Sequence, residues 1–206
     1  MSIFDILKTK KKASNPREKI SIEDQLLVLS DLGIKPKHDG YLDWVCYEWG
    51  RDAVEADRYN LILFSLGGER ESGDSWERLS EDVYSFDTEC VEDEGIYADI
   101  FINLAALSKG AFCITNVSST VDHDNRSASV SFTYNNVNYS WDLQYEDDWF
   151  DGDVVNKINQ LLKEGESKMF FYTCSPDQNL ITLFTTQDTI EKINKLVTVP
   201  FVLGTL

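Results

Sequence analysis

Histidine is nearly missing from this chain, with only His38 and His123 in 206 residues. That leaves little room for imidazole acid–base chemistry or for histidine-built metal centres. Cysteine is sparse as well. Cys46, Cys90, Cys113 and Cys174 are scattered, without a Cys-x-x-Cys pair or a neighbouring histidine. This excludes a zinc ribbon and an activated thiol, and predicts reduced, mostly buried cysteines. Glycine and proline number only 11 and 4, so the chain is neither collagenous nor low in complexity, and no repeat of 20–50 residues is present. No apolar run approaches the ~20 residues that span a bilayer. Residues 1–7 lack the basic start and long apolar stretch of an export signal. The expectation is a cytoplasmic protein that makes no membrane contact.

What the chain has in excess is negative charge, with 36 acidic residues against 19 basic ones, net −17. The excess is uneven. Residues 1–38 carry net +3, whereas residues 39–100 hold eighteen acidic and four basic residues, net −14. A field of that sign repels nucleic acid and anionic lipid, and draws in cations or a basic protein. The basic residues gather at 1–20, where Lys8, Lys10, Lys11, Lys12, Arg17 and Lys19 accompany Ser14, Asn15 and Pro16. That composition reads as a flexible tail, with a single domain over 21–206.

Ser21 and Asp24 resemble a capping pair ahead of Ile22, Leu26, Leu29 and Leu32, which recur at helical spacing until Gly33. Residues 41–49 suit either a short helix or a strand. Residues 59–66 contain Leu61-Ile62-Leu63-Phe64 and stop at Gly67-Gly68, the pattern of a strand buried on both faces. Residues 67–80 are polar and acidic, which predicts a long loop, and 83–86 suit a short strand. Glu92, Asp93 and Glu94 then precede a helix marked by Ile96, Ile100, Phe101, Leu104 and Leu107, closed by Lys109-Gly110.

The strongest pattern follows. Ala128, Val130, Phe132 and Tyr134 alternate with polar residues, and so do Val137, Tyr139, Trp141 and Leu143 beyond Asn135-Asn136. A two-residue turn there sets Tyr134 opposite Val137, Phe132 opposite Tyr139 and Val130 opposite Trp141. Residues 111–121 supply a preceding strand. A helix over 154–164, a hairpin around Ser175-Pro176-Asp177 and a last helix between Thr186 and Pro200 complete the chain. The class is α+β, a mostly antiparallel sheet with about four helices packed on it.

Few constellations carry chemistry. His123 lies between Asp122 and Asp124, but all three fall in a turn, where Asp and Asn are favoured for backbone reasons. Glu146-Asp147-Asp148 with Asp151-Gly152-Asp153 fails as a calcium loop, because Trp149 and Ile158 occupy ligand positions. Asp151 or Asp153 serves better as a helix cap. Gly67-Gly68 lacks the lysine of a phosphate loop, and Glu69 and Glu71 repel phosphate.

What remains is aromatic residues set among acids. Trp44 stands near Asp43 and Glu48, Trp76 near Asp74 and Glu77, Tyr84 and Phe86 near Asp82, Asp87 and Glu89, and Trp149 between Asp148 and Asp151. Protein interfaces use aromatic anchors and a charged rim in this way.

The segment Tyr84-Ser85-Phe86-Asp87-Thr88-Glu89, leading through Glu92-Asp93-Glu94 into a helix over 94–108, is followed by the aromatic hairpin, Trp149-Phe150-Asp151 and two closing αβ segments. This layout, over most of residues 21–200, resembles bacterial immunity proteins, the antidotes encoded beside polymorphic or contact-dependent toxins. The resemblance implies a non-enzymatic inhibitor, without cofactor or metal, that binds a basic toxin domain such as a nuclease and blocks its active site or substrate access. Candidate partner-binding residues are Asp87, Glu89, Glu92, Asp93 and Glu94, with Trp44 and Trp76 as anchors. Two other expectations are a metal-dependent hydrolase using Asp122, Asp124, Asp147 and Asp151, and an adaptor for a basic protein.

Overall fold

A computed structural model describes residues 19–37, 40–72 and 75–205, with side chains except at 47, 48, 72 and 75. Nearly all of the basic segment expected at 1–20 lies outside the described residues, as does His38.

Ser21 starts helix α1 (Ile22–Asp31) as expected. Its hydroxyl accepts the Asp24 N–H at 3.1 Å and donates to the Asp24 carboxylate at 2.7 Å. Three short helices follow: α2 (Tyr41–Trp49), α3 (Arg51–Asp57) and α4 (Asn60–Gly67). Helix α4 corrects the strand expected at 59–66. A segment apolar on every side gives no periodicity to separate a strand from a helix buried all round. Asp57 supports the helix by accepting the Leu61 N–H at 2.5 Å.

The stretch at 67–80 is also corrected. It is a hairpin of β1 (Glu69–Ser72) and β2 (Ser75–Arg78), whose register sets Glu69 opposite Arg78 and Arg70 opposite Glu77. Charges that suggest a solvated loop are here cross-strand pairs of opposite sign.

Strand β3 (Val83–Asp87) passes so close to α4 that a Cβ on Gly67 would stand 2.7 Å from the Ser85 nitrogen. Helix α5 (Ile96–Leu107) follows the acidic run and leads into strands β4 (Ile114–Asp122), β5 (Ser127–Tyr134) and β6 (Val137–Leu143). Helix α6 (Asp153–Glu164), strands β7 (Phe170–Cys174) and β8 (Asn179–Thr185), helix α7 (Gln187–Ile193) and strand β9 (Val202–Leu203) complete the order. Helix α7 stops at Ile193, short of Pro200, and Leu196 and Val197 pack on the same core from the turns beyond.

The class is α+β, as expected. The described residues form seven helices rather than about four, and three antiparallel sheets rather than one. The central sheet has the order β3-β8-β7-β9 and the outer sheet β4-β5-β6. Alternation along the central strands divides the interior into two cores. Val83, Tyr172, Cys174, Ile181 and Leu183 face α1, α4 and α7, whereas Tyr84, Phe171, Leu180 and Phe184 face α5, α6 and the outer sheet. The outer hairpin has the expected register. Phe132 is its hub, with ring centres 4.9 Å from Trp141, 5.2 Å from Tyr139 and 5.2 Å from Phe101. Among the thiols only Cys174 is fully buried. Cys113 is exposed because the turn into β4 sends its neighbour Phe112 inward instead.

Asparagine amides tie down the C-terminal segment and β7. Asn60 accepts N–H groups from Thr198 and Val199 at 2.7 and 2.9 Å and donates to Val199 O at 3.0 Å. Asn194 pairs in the same two-sided way with Phe201, as Asn159 does with Phe171 on β7.

An ionic clamp joins α1 to α3. The Arg51 guanidinium donates to Glu23 at 2.8 Å and to Glu55 at 3.0 Å. Its hydrogen bond holds the Glu23 carboxyl down at about 2. A folded value below the unfolded one means stabilisation that is full above about 4.5 and lost as pH falls toward about 2. Arg51→Met should therefore lower Tm modestly at neutral pH, since exposed pairs are screened. In thermal melts the gap from the parent should close across that acid window.

Candidate functional site

Strand β3 ends at Asp87, and three segments are stitched together beyond it. The N–H of Phe150 donates to Thr88 O and that of Val91 to Asp148 O, both at 2.8 Å, and Glu89 and Trp149 form an antiparallel bridge. The Thr88 N–H and hydroxyl both donate to Gln178 O, at 2.8 and 2.5 Å. The Gln178 amide in turn donates to Asp87 Oδ2 at 2.8 Å and Glu89 Oε2 at 3.4 Å. Residues 87–94, 146–150 and the β7–β8 turn thus make one end of the central sheet.

That end is acidic. Asp87, Glu89, Glu92, Asp93, Glu94, Glu146, Asp147 and Asp177 are exposed, and Asp148 is half-exposed. None has an ion-pair partner among the described residues. The ion pairs there lie elsewhere, on Glu23, Asp52, Glu55, Glu81, Asp82 and Asp153. Arg126, the cation near this end, lies 5.1 Å over the Tyr145 ring rather than on a carboxylate. The field acts on a neighbour: burial first, then the charges of Asp87 and Glu92, push the Cys90 thiol up to about 11. Cys90 therefore stays protonated at neutral pH and is no nucleophile.

Trp149, 41 % exposed, lies among these residues, its backbone bridged to Glu89 on one side and Glu146 on the other. The next residue, Phe150, is buried, edge-on to Phe86 at 5.2 Å and stacked on Tyr97 at 5.6 Å. A partly exposed indole rimmed by carboxylates that have no ion-pair partner among the described residues has the anatomy of a binding surface.

The five expected acids, Asp87, Glu89, Glu92, Asp93 and Glu94, are therefore together, and Glu146, Asp147, Asp148 and Asp177 join them through tertiary contacts. The two expected anchors do not share this end. Trp44 lies on α2, half-buried against the core on the other face of the central sheet. Trp76, 65 % exposed, lies on the β1–β2 hairpin opposite Glu71. The ring at the acidic end is Trp149. Its signal in the sequence is an acid on each side, Asp148 and Asp151.

The carboxylates considered for metal hydrolysis are not assembled. Asp122 is taken up by the backbone and side-chain amides of Asn125 at 2.9 and 2.7 Å. Asp151 is buried and accepts N–H groups from Gln144 and from Asp153, the first residue of α6, at 2.9 and 3.0 Å, while the N-cap position itself is Gly152. Among the described residues, no group of three or more His, Cys, Asp or Glu is placed to hold a metal ion. His123 Nδ1 meets the Tyr145 hydroxyl at 2.8 Å. A cavity of about 410 Å³ opens between α1, α5, β8 and α7, lined by Ile34, Leu107, Leu183 and Ile193 with the Lys109–Asp82 ion pair at its wall. No helix among the described residues is long and apolar enough to cross a membrane.

No family model, curated protein or solved structure matches this chain.

Proposed function

We propose that this chain is an immunity-type inhibitor, a non-enzymatic protein that docks its acidic end on the basic cleft of a cognate toxin domain. The observation that carries this reading is the set of unpaired carboxylates around Trp149. In the complex they occupy the positions a nuclease keeps for phosphate, and the indole excludes water at the centre. Blocking the cleft then requires no chemistry from the inhibitor.

The test is stopped-flow association with the product of the gene next upstream. Steering by exposed charge predicts an on-rate that falls about tenfold or more between ~0.05 M and ~0.5 M salt. An on-rate indifferent to salt would remove steering from the account. A partner that binds but harms no cell would make the chain an adaptor for a basic protein instead.

A further inference from the structure

The outer sheet ends on β6, and among the described residues no backbone hydrogen bond reaches its outer side. The turn before it fixes which groups are free. Asn135 and Asn136 have φ 50° and 62°, which makes a two-residue primed turn closed by the hydrogen-bonded pair Tyr134 and Val137. Bonded and non-bonded pairs alternate along an antiparallel ladder. Tyr139, Trp141 and Leu143 therefore spend their N–H and C=O groups on β5, whereas those of Asn138, Ser140 and Asp142 point outward.

Proteins normally blunt such an edge with proline, lysine or a bulge. The opposite edge is blunted: β4 is bulged between Thr115 and Ser118, with Asn116 at φ 53°. Strand β6 (Val137–Leu143) has no proline, lysine or bulge over 7 residues, and its single charge is Asp142.

We infer that β6 pairs antiparallel with β6 of a second copy of this chain, centred on Ser140. The register follows from the free groups, because residues with outward N–H and C=O must face one another. Ser140 meets its own counterpart and Asn138 meets the counterpart of Asp142, giving about six backbone hydrogen bonds. This centre also suits the side chains. The Asn138 amide faces a carboxylate, Tyr139 faces Trp141, and Val137, 51 % exposed in one copy, faces Leu143. A seam centred on Asp142 would instead set two carboxylates face to face and shorten the ladder. Each copy carries net −17, so the copies repel and salt tightens their pairing. That is opposite to the salt dependence of the acidic end, so failure of either idea is distinguishable from failure of the other.

Sedimentation equilibrium of the full chain tests this, from low micromolar to submillimolar concentration. The expected result is a monomer–dimer equilibrium that shifts toward dimer between ~0.05 M and ~0.5 M salt. Ser140→Pro removes an outward N–H and spares the β5–β6 backbone ladder, losing only the exposed hydrogen bond from the Ser131 hydroxyl, so it should weaken the dimer about tenfold or more with only a small change in Tm. Asn138→Asp sets like charges across the seam and should weaken it similarly, and adding Asp142→Asn should restore it. If Ser140→Pro fails to fold, the charge pair of variants decides alone. A chain monomeric at every concentration, or a dimer indifferent to these substitutions, would overturn the inference.

Discussion

Asn60→Ala is expected to lower the free energy of unfolding by about 2–4 kcal/mol, because it removes three hydrogen bonds of ~0.5–1.5 kcal/mol each, to the Thr198 and Val199 N–H groups and to Val199 O. Asn60 is 2 % exposed, and its amide satisfies both N–H groups as well as Val199 O. The segment it holds runs back across the core through Phe201, which Asn194 holds in the same way. In urea titrations the midpoint should fall with an unchanged slope, and Tm should drop by about 5–12 °C for a chain of this size. A loss below about 0.5 kcal/mol, the range of a neutral surface change, would mean that water replaces the amide without cost.

Trp149→Ala is expected to weaken binding of the basic toxin domain by about 2 kcal/mol or more, roughly thirtyfold in Kd. Trp149 is 41 % exposed and its backbone is bridged to Glu89 and Glu146, so the fold should tolerate the truncation. The loss should fall in the off-rate. Single neutralisations at the rim, such as Glu92→Gln, should act mainly on the on-rate and lose their effect in high salt. Calorimetry and stopped-flow mixing on the same variants separate the two. Equal losses for Trp149→Ala and Trp76→Ala would place the contact elsewhere, because Trp76 belongs to the β1–β2 hairpin.

Where one face of an element meets water, its periodicity was legible in the sequence. Helices α1, α5 and α6 and the β5–β6 hairpin follow from alternating or helical spacing. Where burial is complete the signal vanishes, so α4, with Ile62, Leu63, Leu66 and Gly67 all buried, resembles a strand. The β1–β2 hairpin escapes for the opposite reason. Its order lies in opposed charges, Glu69 with Arg78 and Arg70 with Glu77, which composition alone reads as solvation. Local composition marks the acids of 87–94. Their junction with Trp149 and Asp177 depends on bonds such as Thr88 to Gln178, ninety positions apart, and no local pattern records such a contact. The acidic neighbours of Trp44 suggest a surface anchor, whereas the apolar side of α2 packs it on the core.

The most direct test of the docking surface is survival of cells that express the upstream toxin together with this chain. The variant replaces Asp87, Glu89, Glu92, Asp93, Glu94, Glu146, Asp147 and Asp148 at once by their amides, with folding checked by thermal melting. Loss of protection by the folded variant is the result expected here. Protection equal to that of the parent chain would contradict the claim that these carboxylates meet the toxin.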